Sequence, residues 1–187
     1  AGESCYEMGW TRDWLAYLAG DFPEFPVRML ERNLERLEKR VQKIKNDQSK
    51  DWQRKAELRF KNPVVTSGLI MLTSGARQPS WRGSRWLARL RYFDAKRGRA
   101  GLPRDVAALV DDMGKKHVSV TLINLSKQQP RTLIVQGGAY AEHHLTKVHR
   151  AEGQAVSLDK RAFAVTLEPG TGARLKIGMK RFAHDPT

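Results

Sequence analysis

In a chain of 187 residues, the stretch most like a reactive site is GGAYAEHHL, Gly137 to Leu145, followed shortly by His149. Glu142, His143, His144 and His149 are residue types that hold a divalent metal or carry protons. Their spacing argues against one shared ion. Neighbours on a strand point to opposite faces, which separates His143 from His144, and a five-residue step separates His144 from His149 unless a bulge intervenes. A cupin-type site would place one residue between its first two histidines, and here there is none. No metal and no other cofactor is expected. The stretch reads instead as a turn into a strand, with Gly137 and Gly138 serving backbone geometry and Tyr140 packing across the rim.

Other chemistry is equally thin. Cys5 stands near the start of the chain without a linked base, and no serine lies in a nucleophile elbow. Glu3, Glu7 and Asp13 flank Trp10 and Trp14 in ESCYEMGWTRDW, a mixture of acids and tryptophans suited to a sugar cleft. A tryptophan-rich helix against a core accounts for the same residues. No catalytic residue is assigned.

Positive charge is the strongest signal. Lys and Arg total 34 against 20 acids, a formal net charge of +14. Between Arg77 and Arg99 stand Arg77, Arg82, Arg85, Arg89, Arg91, Lys96, Arg97 and Arg99 against the single acid Asp94. Trp81, Trp86, Tyr92 and Phe93 are interleaved with them. Guanidinium groups that meet phosphates, beside rings that stack on bases, suit single-stranded nucleic acid. These eight cations, with Trp81 and Trp86, are the candidate RNA-contacting residues. The same segment also reads as a strand, RWLARLRYF, with Trp86, Ala88, Leu90 and Tyr92 inward and a solvated basic edge. No zinc-finger spacing or RRM octamer supports the claim.

The elements that would position these residues divide the chain near residue 114. Residues 1–114 are expected to be mainly helical, with the basic-aromatic segment at 77–99, and residues 115–187 to form an antiparallel β-sandwich. In GWTRDWLAYLAGD, Thr11 suits an N-cap, and Trp14, Leu15 and Leu18 share a face. Val27, Leu30, Leu34, Leu37, Val41 and Ile44 then form an a/d stripe on a helix whose first turn holds Pro26. At under three heptads, packing of this stripe within the fold is preferred over packing on a partner. Arg28, Arg32, Arg36 and Arg40 line one ridge of that helix, read as a solvated face because acids interleave it, with phosphate contact as the alternative. A buried helix is expected in NPVVTSGLIMLTSG, with Asn62 as cap and Pro63 at its first position. LPRDVAALVDDMG reads as a further helix on Val106, Leu109, Val110 and Met113.

Beyond residue 114 the pattern has period two. Val118, Val120 and Leu122 face one way. So do Ala173, Leu175, Ile177 and Met179, opposite Arg174, Lys176 and Lys180. EPGTG reads as a hairpin turn. The expected class is α+β, with N-terminal helices packed on a C-terminal sandwich of jelly-roll-like form. No apolar run approaches the roughly 18–20 residues that cross a bilayer. A single cysteine favours a reducing compartment.

The segments RYFDAKRGRAGLPRDVAALVDDM, VSVTLINLSKQQPRTLIVQGGAYAEHH and LEPGTGARLKIGMKRFAHDPT resemble the C-terminal part of a family of long, largely uncharacterised bacterial proteins. WTRDWLAYLAGDFPEFPVRML resembles it more weakly. The resemblance implies a helical region followed by a β-sandwich, similar to accessory domains behind some carbohydrate-active catalytic domains, and it assigns no catalytic residue. Charge and resemblance together lead to two expectations. The first is a non-enzymatic basic scaffold subunit in a larger RNA-containing assembly, such as an organellar ribosome in an organellar matrix, with RNA phosphates and neighbouring subunits as partners. The second is the accessory portion or subunit of a carbohydrate-active hydrolase.

Overall fold

The computed structural model describes residues 12–48, 62–76, 87–150 and 153–182. The chain divides into two compact units, Ala1–Leu69 and Ile70–Thr187.

In the first unit, α1 covers residues 12–19 and α2 runs from Phe25 to Lys45. Pro26 stands in the first turn of α2, and Lys43 and Lys45 close its last turn, where they complement the helix dipole. Thr11, the expected cap of α1, lies outside the described residues. The face of α2 that is buried is not the a/d stripe. Phe25, Met29 and Asn33 are buried, whereas Val27 and Leu34 are each 60% exposed and Leu30 and Leu37 over a third exposed. The expectation that the stripe packs within the fold is therefore corrected. Asn33 decides the orientation, because its carboxamide bonds the Met29 carbonyl and accepts from the Ser67 hydroxyl at 3.2 Å. A buried amide must be bonded, and this pairing turns that face inward.

The third helix, α3, runs from Ser67 to Ser74, and the division between the units falls within it. It begins five residues after Asn62, the cap expected for it. Asn62 instead accepts the Val64 amide at 2.9 Å in a local turn.

The described residues of the second unit hold nine strands: β1 Leu90–Asp94, β2 Arg99–Ala100, β3 Val106–Met113, β4 His117–Asn124, β5 Arg131–Gly137, β6 His144–Arg150, β7 Val156–Lys160, β8 Ala162–Leu167 and β9 Gly172–Lys180. They form a four-stranded sheet ordered β2-β1-β5-β8 and a five-stranded sheet ordered β3-β4-β9-β6-β7. Every pairing is antiparallel. The pairs nest: β6 with β7, β5 with β8 and β4 with β9, in alternate sheets. This is the winding of a jelly roll. The class is α+β, and the alternation expected for 118–122 and 173–179 supplies the core, with Val118, Val120, Leu122 and Ile177 fully buried.

Three expectations are corrected here. The sandwich begins at Leu90 rather than 115, so β1, β2 and β3 leave the region expected to be helical. LPRDVAALVDDMG is the strand β3. Val106 and Val110, four apart, share a face in a strand as well as in a helix, and they are the buried pair. A register shift between Val110 and Asp112 then breaks the strict alternation that would have marked a strand. EPGTG is not a hairpin turn either, since β8 and β9 belong to different sheets.

That crossover is fixed by Asn124, which is fully buried. Its Nδ2 donates to the carbonyls of Gln129 (2.9 Å), Leu167 (3.1 Å) and Glu168 (3.1 Å), and its Oδ1 accepts the Ser126 amide at 3.0 Å. Removing one carboxamide strands several backbone groups at once. Asn124→Ala is expected to lower the unfolding free energy by about 2–4 kcal/mol in urea titrations. On α2, Met29→Ala should cost about 2–4 kcal/mol, against ~0.5 kcal/mol or less for Leu34→Ala. Equal losses at the two positions would contradict the orientation of the helix.

Candidate nucleic-acid interface

The basic segment is only partly a surface. Arg77, Trp81, Arg82, Arg85 and Trp86 lie outside the described residues. From Ala88 onward the strand reading holds: Ala88, Leu90, Tyr92 and Asp94 are buried in alternation. Tyr92 donates to the Thr73 carbonyl at 2.7 Å, and burial pushes its phenol far above the ordinary range. Lys96, Arg97 and Arg99 stand exposed in the hairpin from β1 to β2. Arg97 is drawn back towards buried Asp94, 4.0 Å away. Arg91 donates from Nη1 to the Ala139 carbonyl at 2.8 Å and lies over the Phe93 ring.

Arg89 is unlike the others. Its backbone is pinned at both ends, the amide donating to Ser74 at 2.9 Å and the carbonyl accepting from Gly138 at 2.8 Å. Its Nη1 is buried without a hydrogen-bond partner. Burial first, and the like charge of Arg181 second, lower its affinity for its proton. The arginine segment and GGAYAEHHL therefore meet at one rim of the sandwich.

At that rim the opening stretch is a turn, as expected. Gly138 has φ +87°, and a Cβ there would fall on the Glu142 carboxylate. Glu142 in turn accepts the amides of Ala139 (3.3 Å) and Tyr140 (2.7 Å), so its charge serves the turn. Tyr140 does not pack across the rim; it is 70% exposed. His143 is buried, accepts the Phe182 amide on Nδ1 at 3.2 Å, and meets the Phe182 ring edge-on at 5.0 Å. Desolvation lowers its pKa, and Arg181 and Arg89 add to that while Glu142 opposes it. A register shift between Leu145 and Lys147 supplies the bulge that brings His144 and His149 to the same side of β6. His144 bonds Asp159 at 2.5 Å. Among the described residues, no three His, Cys, Asp or Glu side chains are grouped to hold a metal ion.

The arginine ridge of α2 is divided. Arg40 donates to the Asn62 carbonyl at 2.9 Å. Arg28, over the Phe22 ring at 5.3 Å, and Arg32 line a cavity of about 220 Å³ with Asp13, Phe22, Phe25 and Met29.

A stronger basic surface lies on the outer face of the five-stranded sheet. Lys176 and Lys180 project from β9, and Lys147 lies beside Gly178 in the register between them. A Cβ at Gly178 would meet Lys147 Cγ at 2.8 Å, so the missing side chain makes room for the lysine stem. His149 pairs with Lys176, and His144 with Lys180. The acids near this face are engaged: Asp111 with Arg174 and Thr121, Asp112 with His117 and Ser119, Asp159 with His144. Among the described residues, Lys147, Lys176 and Lys180 hold no ion pair. Lys176 and Lys180 were visible in the alternation of ARLKIGMK. Lys147 was not, because the bulge in β6 displaces it from strict period two.

Residues 3–70 match a family described as Domain of unknown function (DUF8034), a span that ends one residue past the first compact unit. No curated protein and no solved structure matches the chain. Among the described residues no helix is long and apolar enough to cross a membrane.

His143 makes a pH prediction. Its pKa is depressed in the folded chain below the ordinary value of about 6.5, so the unfolded chain binds more protons in that window. Its contribution to stability is complete above pH ~6.5 and lost as pH falls through the lower folded value. Urea midpoints of the wild type should fall between pH 7 and 5 more steeply than those of His143→Gln; parallel curves would exclude a buried neutral imidazole.

Proposed function

We propose that this protein is a non-enzymatic basic scaffold subunit that meets RNA phosphates in a larger assembly. One observation carries the reading: Lys147, Lys176 and Lys180 form a row of uncompensated cations on a rigid sheet whose neighbouring acids are already paired. Long-range attraction to a polyanion and release of its counterions follow from such a row, without any base-specific contact. Lys96, Arg97 and Arg99 extend the basic character to the β1–β2 hairpin, and the exposed stripe of α2 gives a neighbouring subunit an apolar surface.

A second reading, the accessory portion of a carbohydrate-active hydrolase, draws on the nested winding, since lectin domains also use jelly rolls. It rests on fold analogy alone. Of the acids expected at a sugar cleft, only Asp13 is described, beside Arg28 and Arg32.

The readings separate in one titration. Single-stranded RNA should bind with an affinity that falls steeply with salt, and replacing Lys147, Lys176 and Lys180 by Gln should reduce the slope of log K against log salt by about two. An unchanged slope in the triple variant would remove the sheet from the interface. Retention on neutral polysaccharide, without RNA binding, would favour the second reading.

A further inference from the structure

The rim that joins β1, β5, β6 and β9 concentrates positive charge against a buried, unbonded donor. Arg89 Nη1 has lost its water and gained no acceptor. A buried donor of a charged group left without an acceptor costs more than a neutral one. The stem of Arg89 cannot swing away freely. Its Cβ and Cγ lie beside Gly75, where an added Cβ would sit 3.3 Å from each, and both backbone polar groups are bonded. Arg181 follows the last residue of β9, is exposed, and lies over the Phe182 ring at 5.2 Å. Its charge reaches both Arg89 and His143.

Among the described residues neither Arg89 nor Arg181 is held in an ion pair. Glu142, the carboxylate of this rim, spends both oxygens on the amides of Ala139 and Tyr140. Arg91 is held by the Ala139 carbonyl. Ala76, Ala88 and Ala139 form a small buried apolar cluster. The rim thus has two like charges, one of them desolvated with a free donor, and a neutral imidazole whose Nδ1 already accepts, so its proton resides on Nε2.

We propose that this rim is a binding site for a small oxyanion, a phosphate or carboxylate group, received by Arg89 and Arg181. An oxyanion would give Arg89 Nη1 its missing acceptor and relieve the repulsion between the two guanidinium groups. Arginine suits both geometries, since its planar fork meets two oxygens at once. The site is independent of the lysine row and stands or falls without it.

The test uses the whole chain, with thermal unfolding measured in inorganic phosphate, in acetate, and in chloride matched for ionic strength. A ligand that binds only the folded chain raises the melting temperature with its concentration. Phosphate or acetate should raise it above the chloride control, and the more effective of the two identifies the ligand class. Arg181→Gln, at an exposed position after a strand, should abolish the difference while the protein stays folded. A second readout does not depend on stability: NMR titration of His143 in the wild type should move to higher pH when the oxyanion binds, because two depressing charges are neutralised. Arg89→Gln should remove that response too, whereas Lys176→Gln should leave it intact. Equal melting temperatures in all three salts, or a His143 titration indifferent to phosphate and acetate, would overturn the proposal. Loss of RNA binding on substituting the lysine row, with the oxyanion response preserved, would leave it standing.

Discussion

A fully buried carboxamide sits where the chain twice changes sheets. Asn124 ends β4, bonds the loop that leads to β5, and bonds the last carbonyls of β8 before β9. A sandwich of this winding has no helix or hairpin to hold such crossovers, so the backbone groups freed there must find side-chain partners. Asn124 supplies four of those bonds from one residue. Because β9 lies between β4 and β6, an error at this crossover would misplace the central strand of the larger sheet. The lysine row of β9 and the Arg181 end of the same strand thus both depend on a residue that touches neither.

The charge distribution follows from how the acids are used. Asp111 and Asp112 are taken by neighbours on β4 and β9, Asp105 by Arg131 at 3.0 Å, Asp94 by its own hairpin, and Glu142 by two amides of its turn. Each is spent on local structure. Among the described residues of the sandwich, Lys147, Lys176 and Lys180 of β6 and β9 are thereby left without an acid partner.

Where the backbone kept strict period, the sequence was easily read. Val118 to Leu122 and Ala173 to Met179 declare their inward faces by alternation, and so does Ala88 to Tyr92. Legibility failed where two periods coincide or where one is broken. Val106 and Val110 satisfy a helix and a strand equally, and the following bulge removes the evidence that would separate them. On α2 the heptad spacing announced a helix, but the buried amide of Asn33, not the apolar stripe, chose the inward side. The rim was invisible for another reason. Gly75, Arg89, His143 and Arg181 come from four separated places in the chain, and no local pattern links them. GGAYAEHHL drew attention for its histidines, yet its significance lies in the arginines that the fold brings to it.

The segment read as a helix has one more consequence. As β3 it is, among the described residues, an edge of the five-stranded sheet, paired only with β4. A free edge offers unpaired backbone groups to any other chain, and a regular apolar one invites aggregation. β3 breaks its own regularity with the shift at Val110/Asp112 and places two aspartates at that point. Charges and a kink on an edge make a poor template for strand addition. The same irregularity that disguised the strand in the sequence guards the folded chain against joining its neighbours.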